Sequence, residues 1–312
     1  NPVRIATDST FHTDPDHRLP IHGVIRLLSG DPKNSVIQSV PRSTVFTPVD
    51  VNDEEVFRKC LPAYFENEFS WPSFLQGVRL LQNTPTIDVA VSLMSCADVL
   101  QHDGKSRFSW HSELNKVREW WQAKKEMWTA DSTSREKMAN TLDMKEDHIL
   151  AIVYYTANAV YGPLNAALRS ESWIQVWPFV PYIKLLLEAL HAFVAADKSR
   201  CQSCDILYRG VEADLMEILL EKRSDITQWE FTSTSVRSNV GLQFAKGQSF
   251  VQIHGGCGVD ISAVSMYADN EAEVLVLPGA QFQLLSVYRP VESASFVHIN
   301  LKHITSNNIF DV

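Results

Sequence analysis

The spacing of apolar residues changes once along this chain, near Ser203, and that change restricts what it can fold into. Before it, apolar residues recur with helical period. Val56, Phe57, Cys60, Leu61 and Tyr64 follow an acidic first turn, Asp53-Glu54-Glu55. A second helix is predicted over 71–81. Leu114, Val117, Trp120, Trp121 and Met127 form one stripe over 112–128, in which the tryptophans read as core. A stronger pattern runs over 143–169 through Ile149, Ile152, Val153, Thr156 and Val160, with a kink or split expected at Gly162-Pro163. A long helix is predicted over 181–197. After the change come short β-branched runs set apart by Gly, Asn and Asp, at 205–208, 230–234, 249–253, 259–264, 273–277 and 282–288, with one helical segment at 213–223. Helices first and strands later predict an α+β fold with a mostly antiparallel sheet. The first 46 residues, rich in Pro, Asp, Ser and Thr, read as loops with a strand at 22–28. The chain is divided into an N-terminal region of unknown role, 1–110, and a working domain, 111–312.

Composition narrows the function. With 312 residues, 45% of them hydrophobic, the chain can bury a substantial core. Its net charge of −9 and the absence of any long basic run disfavour a nucleic-acid partner, which needs a clustered positive footprint. The apolar stretch 173–196 is broken by Pro178, Pro181, Lys184, Glu188 and His191, so it reads as a buried helix and not a membrane span. The first residues, Asn1-Pro2-Val3-Arg4, show no signal-peptide pattern but also no initiator Met, leaving a cytoplasmic and a secreted location both open. Five cysteines (Cys60, Cys96, Cys201, Cys204, Cys257) are too few and odd in number for a disulfide framework, and reduced thiols are the simpler reading. Cys201-Gln202-Ser203-Cys204 has ligand spacing but no second pair, whereas a closed zinc site needs four ligands, so no metal is expected. No Gly-x-Gly-x-x-Gly opens a helix, which disfavours a Rossmann oxidoreductase.

Three segments of the strand-rich half carry candidate chemistry. Ile206-Leu207-Tyr208-Arg209-Gly210 ends a strand with an arginine, whose planar fork suits phosphate, and a glycine, which lets a ligand approach the backbone. Phe231-Thr232-Ser233-Thr234-Ser235 places four hydroxyls after an aromatic, with alternation sending Ser233 to one face and Thr232 and Thr234 to the other. Glu271-Ala272-Glu273 sets two carboxylates at the entrance of the strand Val274-Leu275-Val276-Leu277, where strand geometry would project them to one side and raise one another's pKa. Singly, each has an ordinary explanation: a solvated arginine, a hydroxyl-rich edge strand, a solvated acidic turn.

In this order the three resemble the arginine-serine-glutamate signature of the arginine-specific mono-ADP-ribosyltransferases, which include vertebrate cell-surface enzymes and clostridial binary actin-modifying toxins. The resemblance extends to Phe244, eleven residues after Ser233, and upstream to Tyr155-Thr156 and Tyr161-x-x-Leu164-Asn165-x-x-Leu168-Arg169, covering about two-thirds of the chain. It implies a helical half followed by a mostly antiparallel two-sheet core around an NAD cleft, with NAD as substrate and a protein with an accessible arginine as acceptor. Arg209 is then expected to hold the NAD phosphates and Gly210 to offer backbone to the nicotinamide amide. Ser233 orients the catalytic glutamate and the ribose, with Thr234 and Ser235 supporting it. Phe244, in a loop over 236–248, stacks on nicotinamide. Glu273 is the catalytic carboxylate on the ribose 2′-hydroxyl, and Glu271 engages the acceptor and marks arginine specificity. Tyr267 belongs to a substrate-recognition turn over 263–270. Lys246 stands near where the family sometimes has a phosphate-contacting arginine and is a weaker candidate. The chemistry fits these residue types, because glycosidic cleavage builds oxocarbenium charge that a carboxylate stabilises, while a protonated guanidinium needs a second carboxylate to orient it and take its proton. The competing readings are an NAD glycohydrolase on the same fold and a catalytically silent binding module.

Overall fold

The computed structural model describes residues 78, 83–95, 109–170, 172–222, 226–228, 230–267, 271–290 and 296–305. The strand expected at 22–28, the helix at 53–64 and all of the 71–81 helix except Val78 lie outside these residues, as do Cys60 and Cys96. Within them the two periodicities become two packed halves.

The helical half is built around a helix that is buried over most of its length, residues 146–156. Helix α1 (Ile87–Met94) starts where the Thr86 side chain accepts from the Val89 N–H, and α2 (Trp110–Ala130) where Ser109 accepts from Ser112. Trp110, Leu114, Val117, Trp121 and Trp128 form the buried stripe of α2. In α3 (Glu146–Thr156) every residue from Ile149 to Thr156 is buried, the mark of a helix surrounded by others. Its tyrosines still satisfy their hydroxyls: Tyr154 donates to the Trp110 carbonyl at 2.8 Å, and Tyr182 of α5 (Val180–Ala196) donates to the Ala151 carbonyl at 2.8 Å. The expected split in 143–169 falls at Ala157, where the backbone is extended (φ −66°, ψ 128°), and not at Gly162-Pro163. Pro163 lies inside the following helix, α4 (Asn158–Arg169). The Thr156 hydroxyl explains the position of the break, since it donates to Val153 O at 2.7 Å and accepts from the Met266 N–H at 3.1 Å, tying the helix end to the strand-rich half. The helical run Trp177–Ala196 is long and apolar enough to cross a membrane, contrary to the expectation from its interruptions, but two-thirds of it is buried inside the fold.

Among the described residues seven strands follow: β1 (Cys201–Val211), β2 (Ile226–Gln228), β3 (Thr232–Ser235), β4 (Ser249–Asp260), β5 (Glu273–Val276), β6 (Ala280–Tyr288) and β7 (Val297–Thr305). Their order is β1-β3-β5-β4-β7-β6-β2, with β1 also pairing β4. A five-strand run, β2-β6-β7-β4-β1, is thereby joined at β1 and at β4 to the two-strand run β3-β5. Every pairing is antiparallel except β4 with β7. The run expected at 249–253 continues through Gly255, whose φ of 63° a residue with a Cβ rarely adopts, to Asp260, whereas residues 261–264 of the run expected at 259–264 form a turn instead of a strand. Phe231, Val259, Ile261 and Leu275 pack into the helical core, which also contains Val78 and the buried residues of α1. Leu207, Val251, Ile253 and Ile299 form a second core with Leu215 and with Leu219 of α6 (Met216–Lys222). Cys201 and Cys204 lie in β1 and Cys257 in β4.

One junction between the halves bears directly on the candidate chemistry. The Phe231 carbonyl, just ahead of β3, accepts from Asn165 Nδ2 of α4 at 3.0 Å and from the Tyr155 hydroxyl of α3 at 3.3 Å. The helices therefore hold the entry to the hydroxyl-bearing strand.

Candidate active site

Register brings the candidate residues together. In the β3–β5 ladder Ser235 stands opposite Glu273 and Ser233 opposite Leu275, while Tyr208, next to Arg209, stands opposite Ser235 from the other side. Ser233 Oγ donates to Glu273 Oε1 at 2.7 Å, and Ser265 Oγ donates to Glu273 Oε2 at 3.0 Å. Glu273 is only 5% exposed. Burial pushes its carboxyl up from the ordinary range, and the two hydroxyl donors offset part of that rise.

Glu271 is placed differently from the sequence expectation. It precedes β5, and Ala272 between the two acids has φ 44°, so a left-handed turn and not strand alternation sets its direction. Three bonds hold this turn: Ser235 Oγ donates to the Glu271 carbonyl, the Glu271 N–H donates to Tyr267 O at 3.2 Å, and the Ile261 N–H donates to Glu273 O at 3.1 Å. Burial, and then the charge of Glu273, push the Glu271 carboxyl up to about 7. The half-buried Tyr267 is close by, its phenol raised by burial and by Glu271 and Tyr161. Residues 268–270, the rest of the expected recognition turn, lie outside the described residues.

Arg209 sits in a cluster whose other members were not foreseen as site residues. Its Nη2 donates to Glu230 Oε1 at 3.1 Å, Gln228 Nε2 donates to the same oxygen at 2.7 Å, and Arg169 of α4 pairs with Glu230 Oε2. Glu230 is 3% exposed, so its charge is matched by guanidinium and amide donors instead of water. Two guanidiniums against one carboxylate leave a net positive site. Arg209 remains partly exposed with donors to spare, as a phosphate ligand requires. The buried Tyr155 phenol links the subsites: burial chiefly raises it, and it feels the charges of Glu273, Glu230 and Arg209.

The remaining candidates divide. Thr234 is buried and donates to Val274 O at 2.6 Å, so it supports the strand, as does Ser235. The expected 236–248 loop is instead largely a helix, α7 (Ser238–Ala245). Val240, Gly241 and Ala245 are buried on its inner face, and Lys246 ends it in a left-handed conformation with φ 44°. Gly210 explains why the helix fits there: a Cβ on it would lie 2.0 Å from Ala245 N and 2.3 Å from Gly241 O. Phe244 remains 48% exposed on the outer side of α7. Lys246 is drawn to Glu212, Nζ to Oε1 2.5 Å, in an exposed pair.

Ser265 and Glu230 gave no usable signal in sequence, because each acquires meaning only through a distant partner. Arg169 was visible within the helix pattern but not as a partner of Arg209. Among the described residues no group of three or more His, Cys, Asp or Glu is arranged to hold a metal.

The family model described as ART, NAD:arginine ADP-ribosyltransferase, matches residues 92–308. NAD(P)(+)–arginine ADP-ribosyltransferase 2 of Gallus gallus is 28% identical over 153 residues, 47% of this chain and 46% of that protein. GPI-linked NAD(P)(+)–arginine ADP-ribosyltransferase 1 of Mus musculus is 26% identical over 161 residues, 50% of this chain and 48% of that protein. The chain thus spans about half the length of the curated relatives it matches. Among solved structures, the type III effector XopAI from Xanthomonas axonopodis pv. citri superposes with a TM-score of 0.45 at 18% identity, covering 72% of this chain and 95% of that one.

Proposed function

The chain belongs to the NAD:arginine ADP-ribosyltransferase family, and from that premise we propose that it transfers ADP-ribose from NAD to an arginine side chain of a target protein, releasing nicotinamide. The observation that carries the reading is Glu273, nearly buried and held on both carboxylate oxygens by serine hydroxyls, with a second carboxylate one left-handed residue before it.

Each residue then has a task. Arg209, with Arg169 beside it on Glu230, binds the pyrophosphate, because two guanidiniums offer paired donors to two phosphates. Phe244 supplies an exposed aromatic face for nicotinamide. The bond between ribose C1′ and the nicotinamide nitrogen breaks, its electron pair leaving with neutral nicotinamide. Glu273 stabilises the positive charge left on the sugar, directly and through the 2′-hydroxyl. The acceptor guanidinium, aligned by Glu271, attacks C1′ through nitrogen and loses one proton to that carboxylate. A base poised near 7 is matched to this step. Tyr267 borders the place where the acceptor side chain enters.

The test is nicotinamide release and guanidine modification measured side by side on the whole chain. Glu273→Gln is expected to lower both by about 10³ or more. Glu271→Gln is expected to abolish transfer to a small guanidine while leaving NAD hydrolysis within about threefold. Guanidine transfer that survives Glu271→Gln would overturn the arginine assignment, and hydrolysis with no transfer by the unaltered protein would make it a glycohydrolase.

A further inference from the structure

Glu273 has two hydroxyl partners of different character. Ser233 is exposed, on β3, and free to turn toward a bound sugar. Ser265 is fully buried and lies outside the arginine-serine-glutamate pattern, eight residues before Glu273. Its Oγ accepts from the Tyr267 N–H at 3.2 Å while donating to Glu273 Oε2 at 3.0 Å. A hydroxyl has one proton. With a backbone N–H aimed at its oxygen, that proton is left for the carboxylate, so the direction of the bond is set by the fold. The segment is itself anchored: the Ser265 N–H donates to Ile261 O at 2.9 Å, and the next N–H, of Met266, donates to Thr156 Oγ1 at the end of α3.

Resting on the reading of Glu273 as the cleavage carboxylate, we propose that Ser265 is a positioning residue that ties this carboxylate to the turn carrying Tyr267, so that one hydroxyl orients the group that breaks the glycosidic bond and pins the segment that meets the acceptor. Because the bond donates to the carboxylate, it favours the ionised form of Glu273. Other groups face the same carboxylate: Glu271 across Ala272, the Ser233 hydroxyl on β3 and the Tyr155 phenol from α3, which in turn feels the charges of Arg209 and Glu230. Of the two hydroxyl donors, Ser265 alone also holds the acceptor side. While Ser233 turns to substrate, Ser265 keeps Oε2 fixed and leaves Oε1 to receive the sugar hydroxyl.

The experiment uses the whole chain and two readouts: kcat/KM for nicotinamide release without acceptor from pH 5 to 9, and KM for agmatine as acceptor. Ser265→Ala is expected to move the acid limb of the release profile upward by about half a unit or more, since a donor to the charged form is lost, and to raise the agmatine KM several-fold. Ser265→Cys, close in shape with a weaker donor, is expected to shift both in the same direction by less. If Ser265→Ala melts with the unaltered protein yet leaves the acid limb and the agmatine KM unchanged, the inference is wrong. Should the alanine variant fail to fold, the cysteine variant decides by the same two criteria. Nicotinamide release that survives Glu273→Gln would instead sink the reading beneath it, an outcome distinct from a silent Ser265.

Discussion

The carboxylates at 271 and 273 differ because their surroundings differ. Glu273 is enclosed and hydroxyl-bonded, whereas Glu271 is half-buried and lifted to about 7 by burial and by its neighbour. If Glu271 acts as the base, guanidine transfer should rise from pH 6 to pH 8 and then level off, with about a tenfold loss one unit below its pKa. An acceptor-linked rate that is flat over this range would remove Glu271 from the role. Glu230 makes a second residue-scale prediction. Replacing it by Ala leaves two guanidiniums facing one another without the carboxylate that aligns them, so KM for NAD should rise at least ~10-fold while kcat holds within about threefold. Steady-state kinetics with varied NAD would show the split. Arg209, Ser233, Glu271 and Glu273 were legible in sequence because they lie in short runs of fixed spacing. Glu230 and Ser265 were not, since nothing local states that a glutamate before Phe231 will meet Arg169, 61 positions upstream.

At the scale of elements, β1 and α7 meet at Gly210 with no room for a side chain. Backbone lies on backbone at Gly210, so Gly210→Ala forces a Cβ into space occupied by main-chain atoms that cannot rotate away. A destabilisation of about 1–3 kcal/mol or more is expected, read as a fall in Tm together with weaker NAD binding as α7 and Phe244 are displaced. An alanine variant that keeps both would show that α7 is easily moved. The helix resembles a loop in sequence because its apolar inner face is short: Val240, Gly241 and Ala245 look unremarkable until a glycine on the facing strand lets them approach. Strand β7 carries a strand's alternation, Val297, Ile299 and Leu301 with His298, Asn300 and Lys302, although the strands expected from sequence stop at 288. The break at Ala157 was not legible. It follows from the bond between Thr156 and Met266, 110 residues apart.

For the molecule as a whole, the acidic pair costs stability at neutral pH. A carboxyl ionising near 7 in the folded chain and near 4.5 in the unfolded one binds its proton more tightly when folded. The resulting penalty is absent below 4.5, grows as pH rises between the two values, and is complete above 7. Glu271→Gln should therefore raise Tm at pH 8 and leave it nearly unchanged at pH 4. Allowing for the partial exposure of the group, the gain is about 1 kcal/mol, or ~2–4 °C. Thermal melts at the two pH values would check it, and an equal shift at both would point to packing instead of charge. The division into helices and then strands was readable because periodicity is a local property. How the strands close on one another was not, because β1 must wait for β4 to find most of its partners.

The place of β7 has a consequence for how the protein is made. The last described strand lies between β4 and β6, both of which precede it in the chain. A ribosome that has released residues up to 296 has exposed β4 and β6 without the strand that joins them, each with unpaired N–H and C=O groups on the side β7 will occupy. Sheet completion thus waits for residues 297–305, and a transcript ending before Val297 would yield a chain with two open edges, a substrate for chaperones and for aggregation, even though every residue of the proposed active site had already been translated.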